Sequence, residues 1–306
     1  MKADARKPVD TIQTTAPSTG QAGLNAIADD VLNTIRQTLI DQETAYQQAS
    51  SHEPVASIWA HSFRVARIAE HIAAAEGWPT QPALLAGLLH DSGKFVHGGY
   101  HDNGTPEEEH AVHFTIQVLT GTPYERWLPI ITEAILCTYL EGEATNDIGQ
   151  AVYDADCLDK LGAMGVAQFF AKRAIRRKFL NDEVLIRTSI ELTYAHHAPD
   201  TLMTRTGRNL ALFRRIRTHR FYADLLDEWK ELGMGDYAIV EEEIAGIVCF
   251  FVVPAACTCG GKLELGSDID DALKCRSAIV NYGCPVCGSE RQFSFCLPRV
   301  SGLPIK

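Results

Sequence analysis

His61, the adjacent pair His90–Asp91 and Asp156 are the residues of this 306-residue chain best suited to chemistry. The pair lies in the phrase LLHDSGKF, residues 88–95, and Asp156 in YDADCLDKLGAMG, residues 153–165. Two neutral imidazoles and two carboxylates form a mixed nitrogen and oxygen donor set suited to a divalent transition metal. An ion held in this way lowers the pKa of a bound water and polarises a phosphoryl oxygen, so the expected chemistry is metal-assisted hydrolysis. Asp91 is the expected catalytic residue, as both ligand and hydrogen-bond partner of that water. Lys94, three residues on, is expected at the site as a point charge for a substrate phosphate. Arg64, one turn after His61, is a second phosphate candidate.

Helices must bring these residues together, because they are far apart in the chain. Apolar residues from Leu24 to Ile40 recur at helical spacing and predict a helix over 24–48. A second helix is predicted over 56–75, ended by Gly77 and Pro79. QPALLAGLLH, residues 81–90, is apolar throughout and reads as a buried helix broken at Gly93. Further helices are predicted over 106–120, 124–140, 147–172, 182–197 and 207–232. Ligands converging from separate helices are a standard way to build a metal site inside a bundle. An adjacent His–Asp pair can serve one ion only where the helix ends and the chain turns.

The phrases HSFRVA (61–66), LLHDSGKF and DADCLDKLGAMG, in this order and spacing, resemble the HD-domain metal-dependent phosphohydrolases over roughly residues 50–200. The resemblance implies an all-helical fold, with His61, His90, Asp91 and Asp156 as metal ligands. It implies a phosphate-ester substrate, with nucleotides first. A minority of the family are di-iron oxygenases, and two-metal relatives carry further histidines downstream. Here His110 and His113 share one helix face, but the next helix, ITEAILCTYL, offers Cys137, Thr138 and Tyr139 and no histidine. One catalytic divalent metal (Mn, Co, Ni, Fe, Zn or Mg) is therefore expected. His110 is assigned to substrate binding.

Beyond the helices the composition changes. IAGIVCFFVVPA, from Ile244, is β-branched and aromatic, a strand signal. Six of the nine cysteines fall between Cys257 and Cys296. The knuckles Cys257-Thr-Cys259 and Cys284-Pro-Val-Cys287 present four thiolates, enough to close a tetrahedral structural zinc site. A β-rich tail of about 60 residues has little core and needs such a staple. Cys275 is a substitute ligand and Cys296 a spare. The tail resembles a zinc ribbon, with a structural or protein-contact role.

The expected architecture is mainly α: an arm lacking structure over 1–22, an HD-type helical catalytic domain over 23–240 and a small β-rich zinc-ribbon-like domain over 241–306. Lys plus Arg is 28 and Asp plus Glu is 39, a net charge of −11, so nucleic acid is not the expected partner. Six arginines between Asp200 and Asp224, with no acid among them, are expected on a solvated helix face, as is AKRAIRRKF, residues 171–179. The N-terminus lacks an apolar signal core, and no stretch approaches the ~20 apolar residues of a membrane helix. A cytoplasmic enzyme on a small phosphorylated substrate is expected, as a homodimer or a monomer. The competing readings are an HD-fold di-iron oxygenase and a non-enzymatic adaptor that binds nucleic acid or protein through its ribbon.

Overall fold

The computed structural model describes residues 27–49, 55–96, 105–138, 144, 146–244, 246–265 and 277–296, of which 244, 265, 277–280 and 291–296 are described by backbone alone. The expected arm over 1–22, and His97, His101, Tyr139 and Cys275, lie outside the described residues. The fold is mainly helical, as the periodicity predicts. In chain order the helices are α1 (Asp29–Gln48), α2 (Ile58–Glu76), α3 (Thr80–Leu89), α4 (Glu107–Leu119), α5 (Leu128–Cys137), α6 (Asp147–Asp159), α7 (Gly162–Ile175), α8 (Asp182–Thr201) and α9 (Arg205–Glu231). A single 3-10 turn, Glu125–Trp127, leads into α5.

Apolar periodicity sets which faces are buried. Ile35 and Leu39 of α1, Val65 and Ile72 of α2, Ile131 of α5 and Val152 of α6 pack in one core. Helix α3 lies at its centre, and every residue from Pro82 to Leu89 is buried. Local caps fix the helix starts. Ser57, Asn146, Asn181 and Thr204 each accept a hydrogen bond from a backbone N–H in the first turn of α2, α6, α8 and α9. Asp154 is fully buried and accepts from Met203 N, Thr204 N and Thr204 Oγ1, tying α6 to the start of α9.

Two elements depart from the predicted pattern. The helix predicted over 147–172 is two helices, because the chain breaks at Lys160–Leu161. Gly162 adopts φ +71°, a conformation that costs an L-residue with a side chain about 1 kcal/mol or more. Helix α8 runs on past His197 through Pro199 to Thr201.

Strand β1 (Tyr237–Ile244) pairs antiparallel with β2 (Ile247–Pro254). This hairpin packs on α8: Phe250 N donates to Thr193 Oγ1 at 2.9 Å and Val252 N to Ser189 Oγ at 2.8 Å. Phe250 and Val252 share a second core with Val166, Leu192, Tyr222 and Trp229. The expected domain boundary at 240/241 thus falls inside β1, within a hairpin that shares a core with the helices. Beyond it, β3 (Glu264–Leu265), β4 (Ser277–Gly283) and β5 (Glu290–Cys296) form a three-stranded antiparallel sheet.

Candidate metal centre

The turn after α3 places His90 and Asp91. A side chain at Gly93 would run into the carbonyl of Glu107 and the amide of Ala111, so α4 reaches this turn only because position 93 has no Cβ. α2 packs against α3, which brings the rings of His61 and His90 to a centroid separation of 5.3 Å. α6 supplies Asp156 from the other side. One ligand atom from each of His61, His90 and Asp156 lies within 4.8 Å of the others. Asp91 joins them: its Oδ2 is 3.4 Å from His61 Nε2 and its Oδ1 is 3.5 Å from His90 Nε2. The structure therefore gathers all four residues that the sequence singled out.

The imidazoles are oriented from behind. His90 Nδ1 lies 2.9 Å from the carbonyl of Gly87 and donates to it, which leaves Nε2 facing the cluster with a lone pair. That buried Nε2 has no hydrogen-bond partner. His61 Nδ1 lies 2.9 Å from Asp159 Oδ2, while its Nε2 faces Asp156 Oδ1 at 3.3 Å. A carboxylate behind an imidazole whose other nitrogen points into a donor cluster is the usual outer support of a metal-bound histidine. An orphaned buried nitrogen beside two carboxylates is costly to leave unpaired, and a divalent cation satisfies it. The residues present fit such an ion.

Charge is balanced around the cluster. Lys94 Nζ lies 2.6 Å from Asp91 Oδ2 and Lys160 Nζ lies 2.9 Å from Asp156 Oδ2. Burial pushes the Asp91 carboxyl up, but the charges of His90, Lys94 and His61 outweigh it and hold Asp91 well below the usual carboxylate range. Burial likewise opposes ionisation of Lys94, yet Asp91 lifts it further above its ordinary value, so it stays cationic. Burial drives the His90 imidazole below its ordinary value, against the opposing pull of Asp91. In His61 burial is opposed by Asp156, Asp159 and Asp91, which together raise its pKa to about 9.

The cluster opens into a two-lobed cleft. One lobe, of about 440 Å³, holds His61, Asp91, Asp156 and Lys94 with the apolar walls Tyr46, Val55 and Phe95. The other, of about 340 Å³, is walled by Phe169, Ile190, Tyr194 and Glu191. His61, Lys160, Gln168, Lys172 and Arg176 line both. The run over 171–179, expected on a solvent face, thus contributes Lys172, Arg173 and Arg176 to the cleft. The break before Gly162 redirects α7 and turns these residues toward His61. Burial raises Glu191 to about 7 against the pull of Lys172 and Arg173.

Other expected site residues are placed differently. Arg64 donates from Nε to Asp159 Oδ1 at 2.7 Å and from Nη2 to Asp159 Oδ2 at 3.1 Å, and also bonds Gln168. Its guanidinium is committed to holding Asp159 and lines neither lobe. His110 lies half-buried on α4, which meets the turn at Gly93, and it lines neither lobe. Sequence reasoning missed Asp159 as a supporting group. The signal was its position three residues after Asp156, which sets both carboxylates on one helix face. Lys160 was readable in the same way, four residues after Asp156.

At the far end of the chain, one sulfur from each of Cys257, Cys259, Cys284 and Cys287 lies within 4.8 Å of the others. Cys257 Sγ is 3.6 Å from Cys287 Sγ, and Cys259 Sγ is 3.5 Å from Cys284 Sγ. Four ligands at the usual Zn–S length of about 2.3 Å lie about 3.8 Å apart, so the spacing suits zinc. Tight turns form both knuckles: Cys257 N donates to Gly261 O and Cys284 N to Ser289 O. The backbone N–H of Cys259 and the Ser289 hydroxyl draw the Cys257 thiol down, while the neighbouring sulfurs push Cys259 up.

Residues 6–111 match the HDOD domain, an HD-related family. The matched segment contains His61, His90 and Asp91 and ends before Asp156. No curated protein matches the chain. Among solved structures, the chain is similar to a predicted HD superfamily hydrolase from an uncultured Thermotogales bacterium, at 24% identity over 65% of this chain and 92% of that one, with a TM-score of 0.46. It is also similar to Bacillus subtilis YpgQ, solved in complex with ADP, at 20% identity over 65% of this chain and 96% of that one, with a TM-score of 0.45. A Bacillus thuringiensis HD-superfamily hydrolase is 22% identical over 65% of this chain and 98% of its own, with a TM-score of 0.43.

Proposed function

We propose that this chain is a metal-dependent phosphohydrolase acting on a small phosphate ester, with nucleotides the first candidates. The observation that carries this reading is the orphaned Nε2 of His90, which faces His61, Asp91 and Asp156 at the floor of a cleft rimmed by lysine and arginine. His61, His90, Asp91 and Asp156 would hold one divalent ion, which supplies a water of lowered pKa and polarises a phosphoryl oxygen.

The remaining steps belong to the chain's own groups. Asp91 stays ionised, so it accepts a hydrogen bond and orients the attacking water rather than storing its proton. Lys94 and Lys160 stay cationic and offset the charge on the phosphoryl oxygens as they approach the two carboxylates. Lys172 and Arg176, at the junction of the lobes, bind the phosphate on entry. The lobe walled by Phe169, Ile190 and Tyr194 takes the organic part of the ester, and Glu191, close to half-protonated near neutral pH, can donate or accept a hydrogen bond there. Arg64 is a positioning residue that acts through Asp159. Cys257, Cys259, Cys284 and Cys287 bind structural zinc in this account.

The test is a panel of nucleotides and simple phosphate esters, each with Mn(II), Co(II), Ni(II), Fe(II), Zn(II) or Mg(II). The reading predicts phosphate release from at least one pair and its loss in the Asp156→Ala protein. No release under any pairing, or release that survives Asp156→Ala, overturns it.

A further inference from the structure

Helix α9 has a face that nothing in the described fold covers. Leu212 is 42% exposed, Phe213 67% and Ile216 62%, three large apolar side chains within five positions. At 100° per residue they share one stripe, which continues through Arg205 at one end and Asp227 at the other, both exposed. Buried positions such as Ala211, Thr218, Tyr222 and Trp229 mark the opposite side, packed on the protein. A contiguous apolar stripe on a soluble protein marks an interaction surface more often than chance exposure.

Charge along this helix is segregated. The first sixteen residues carry all six arginines and no acid, whereas the last eight residues carry Asp224, Asp227, Glu228 and Glu231 against Lys230. Such a helix complements itself when two copies run antiparallel, because the basic start of each, Arg205 and Arg208, then faces the acidic end of the other, Asp227 and Asp224. A twofold axis at Ile216 achieves this. Arg205 and Asp227 lie eleven residues on either side of Ile216, so Arg205 of each copy meets the partner's aspartate, while Ile216 meets its own copy on the axis with Leu212 one turn to either side. The other amphipathic helix considered from sequence, α1, offers no such face, because Val31, Ile35 and Leu39 are buried in the core.

We propose that the chain forms a homodimer through α9, paired antiparallel with α9 of a second copy about a twofold axis at Ile216. Membranes and unrelated protein partners fit less well, because neither accounts for a basic start and an acidic end placed symmetrically about Ile216. The proposal is independent of the metal-site reading.

Sedimentation velocity of the full chain, over two decades of concentration, tests it. The wild type shifts from monomer to dimer, and Ile216→Asp stays monomeric with an unchanged circular dichroism spectrum. Arg205→Glu alone and Asp227→Lys alone each weaken self-association by about tenfold, since two attractive pairs become two like-charge pairs. Mixing equal amounts of these two variants restores dimers, because every pair is then of opposite charge. A wild type that stays monomeric throughout, an Ile216→Asp protein that still dimerises, or a mixture that fails to recover overturns the proposal. A monomeric wild type would mean that another segment of the chain or another partner covers the stripe.

Discussion

Asp159 lines the second lobe beside His61, and three side chains depend on it: His61, Arg64 and Gln168 all bond its carboxylate. Changing it to Asn keeps the shape and removes the charge behind His61. Such support is worth about 10–100-fold in metal affinity. The proton on His61 sharpens the test. With its pKa raised to about 9, His61 of the metal-free protein is protonated at neutral pH, and an ion must displace that proton. Apparent affinity for Mn(II) should therefore climb with pH by up to tenfold per unit, levelling near pH 9. The sign for stability is opposite. The raised pKa stabilises the metal-free fold fully below the unfolded value of about 6.5, and this contribution is lost as pH rises through 9. In Asp159→Asn the climb in affinity should level off at lower pH and at a lower plateau, as read by calorimetric titration. A pH-independent affinity in the wild type would remove His61 from the ligand set. At this scale the sequence revealed the inner four residues, because each lies in a distinctive phrase. Asp159 and Lys160 lie in the same phrase, three and four residues after Asp156, and only that helical spacing marks them, because a side chain that supports another carries no motif of its own.

Helices were legible where one face is apolar and the end carries turn residues, as in α2 with Gly77 and Pro79. They were misread where local conformation overrode periodicity. The pattern over 147–172 stays helical across the break, and only the left-handed Gly162 shows that α6 and α7 are separate. That break carries consequences, because it sets Lys172 and Arg176, both exposed, on the rim of the cleft. Strand β1 escaped notice because its three glutamates, Glu241–Glu243, mask the alternation that β2 shows plainly. The turn between α3 and α4 is the element on which the centre depends most. Gly93→Ala would drive a methyl group into the backbone of α4. It should destabilise the protein by about 1–3 kcal/mol in urea titration, as overpacking of a tight contact does. It should also weaken Mn(II) binding, because Asp91 and Lys94 move with the turn. Wild-type stability together with wild-type affinity would show that α4 does not hold the turn in place.

Across the whole molecule, the site forms at a seam. The core around α3 supplies the candidate ligands His61, His90, Asp91 and Asp156, while α7 and α8, whose Val166, Leu185 and Leu192 lie in the second core, line the lobe beyond them. The mainly helical class follows from composition and periodicity. The sharing of the second core with the β1–β2 hairpin does not, because a sequence pattern shows which faces are apolar but not what will cover them. Among the described residues no helix is long and apolar enough to cross a membrane. Two groups there are able to hold a metal, and they differ in chemistry: oxygen and nitrogen donors in the cleft, sulfur donors in the tail. This separation allows the central claim to be tested on the intact chain. Phosphate release is followed while metal-stripped protein, with zinc restored to its cysteines, is titrated with the most active divalent ion from the panel. The account predicts release that rises in proportion to added metal, saturates at one equivalent per chain and is absent in His90→Ala. Release that needs no added metal, or that proceeds undiminished in His90→Ala, would contradict it.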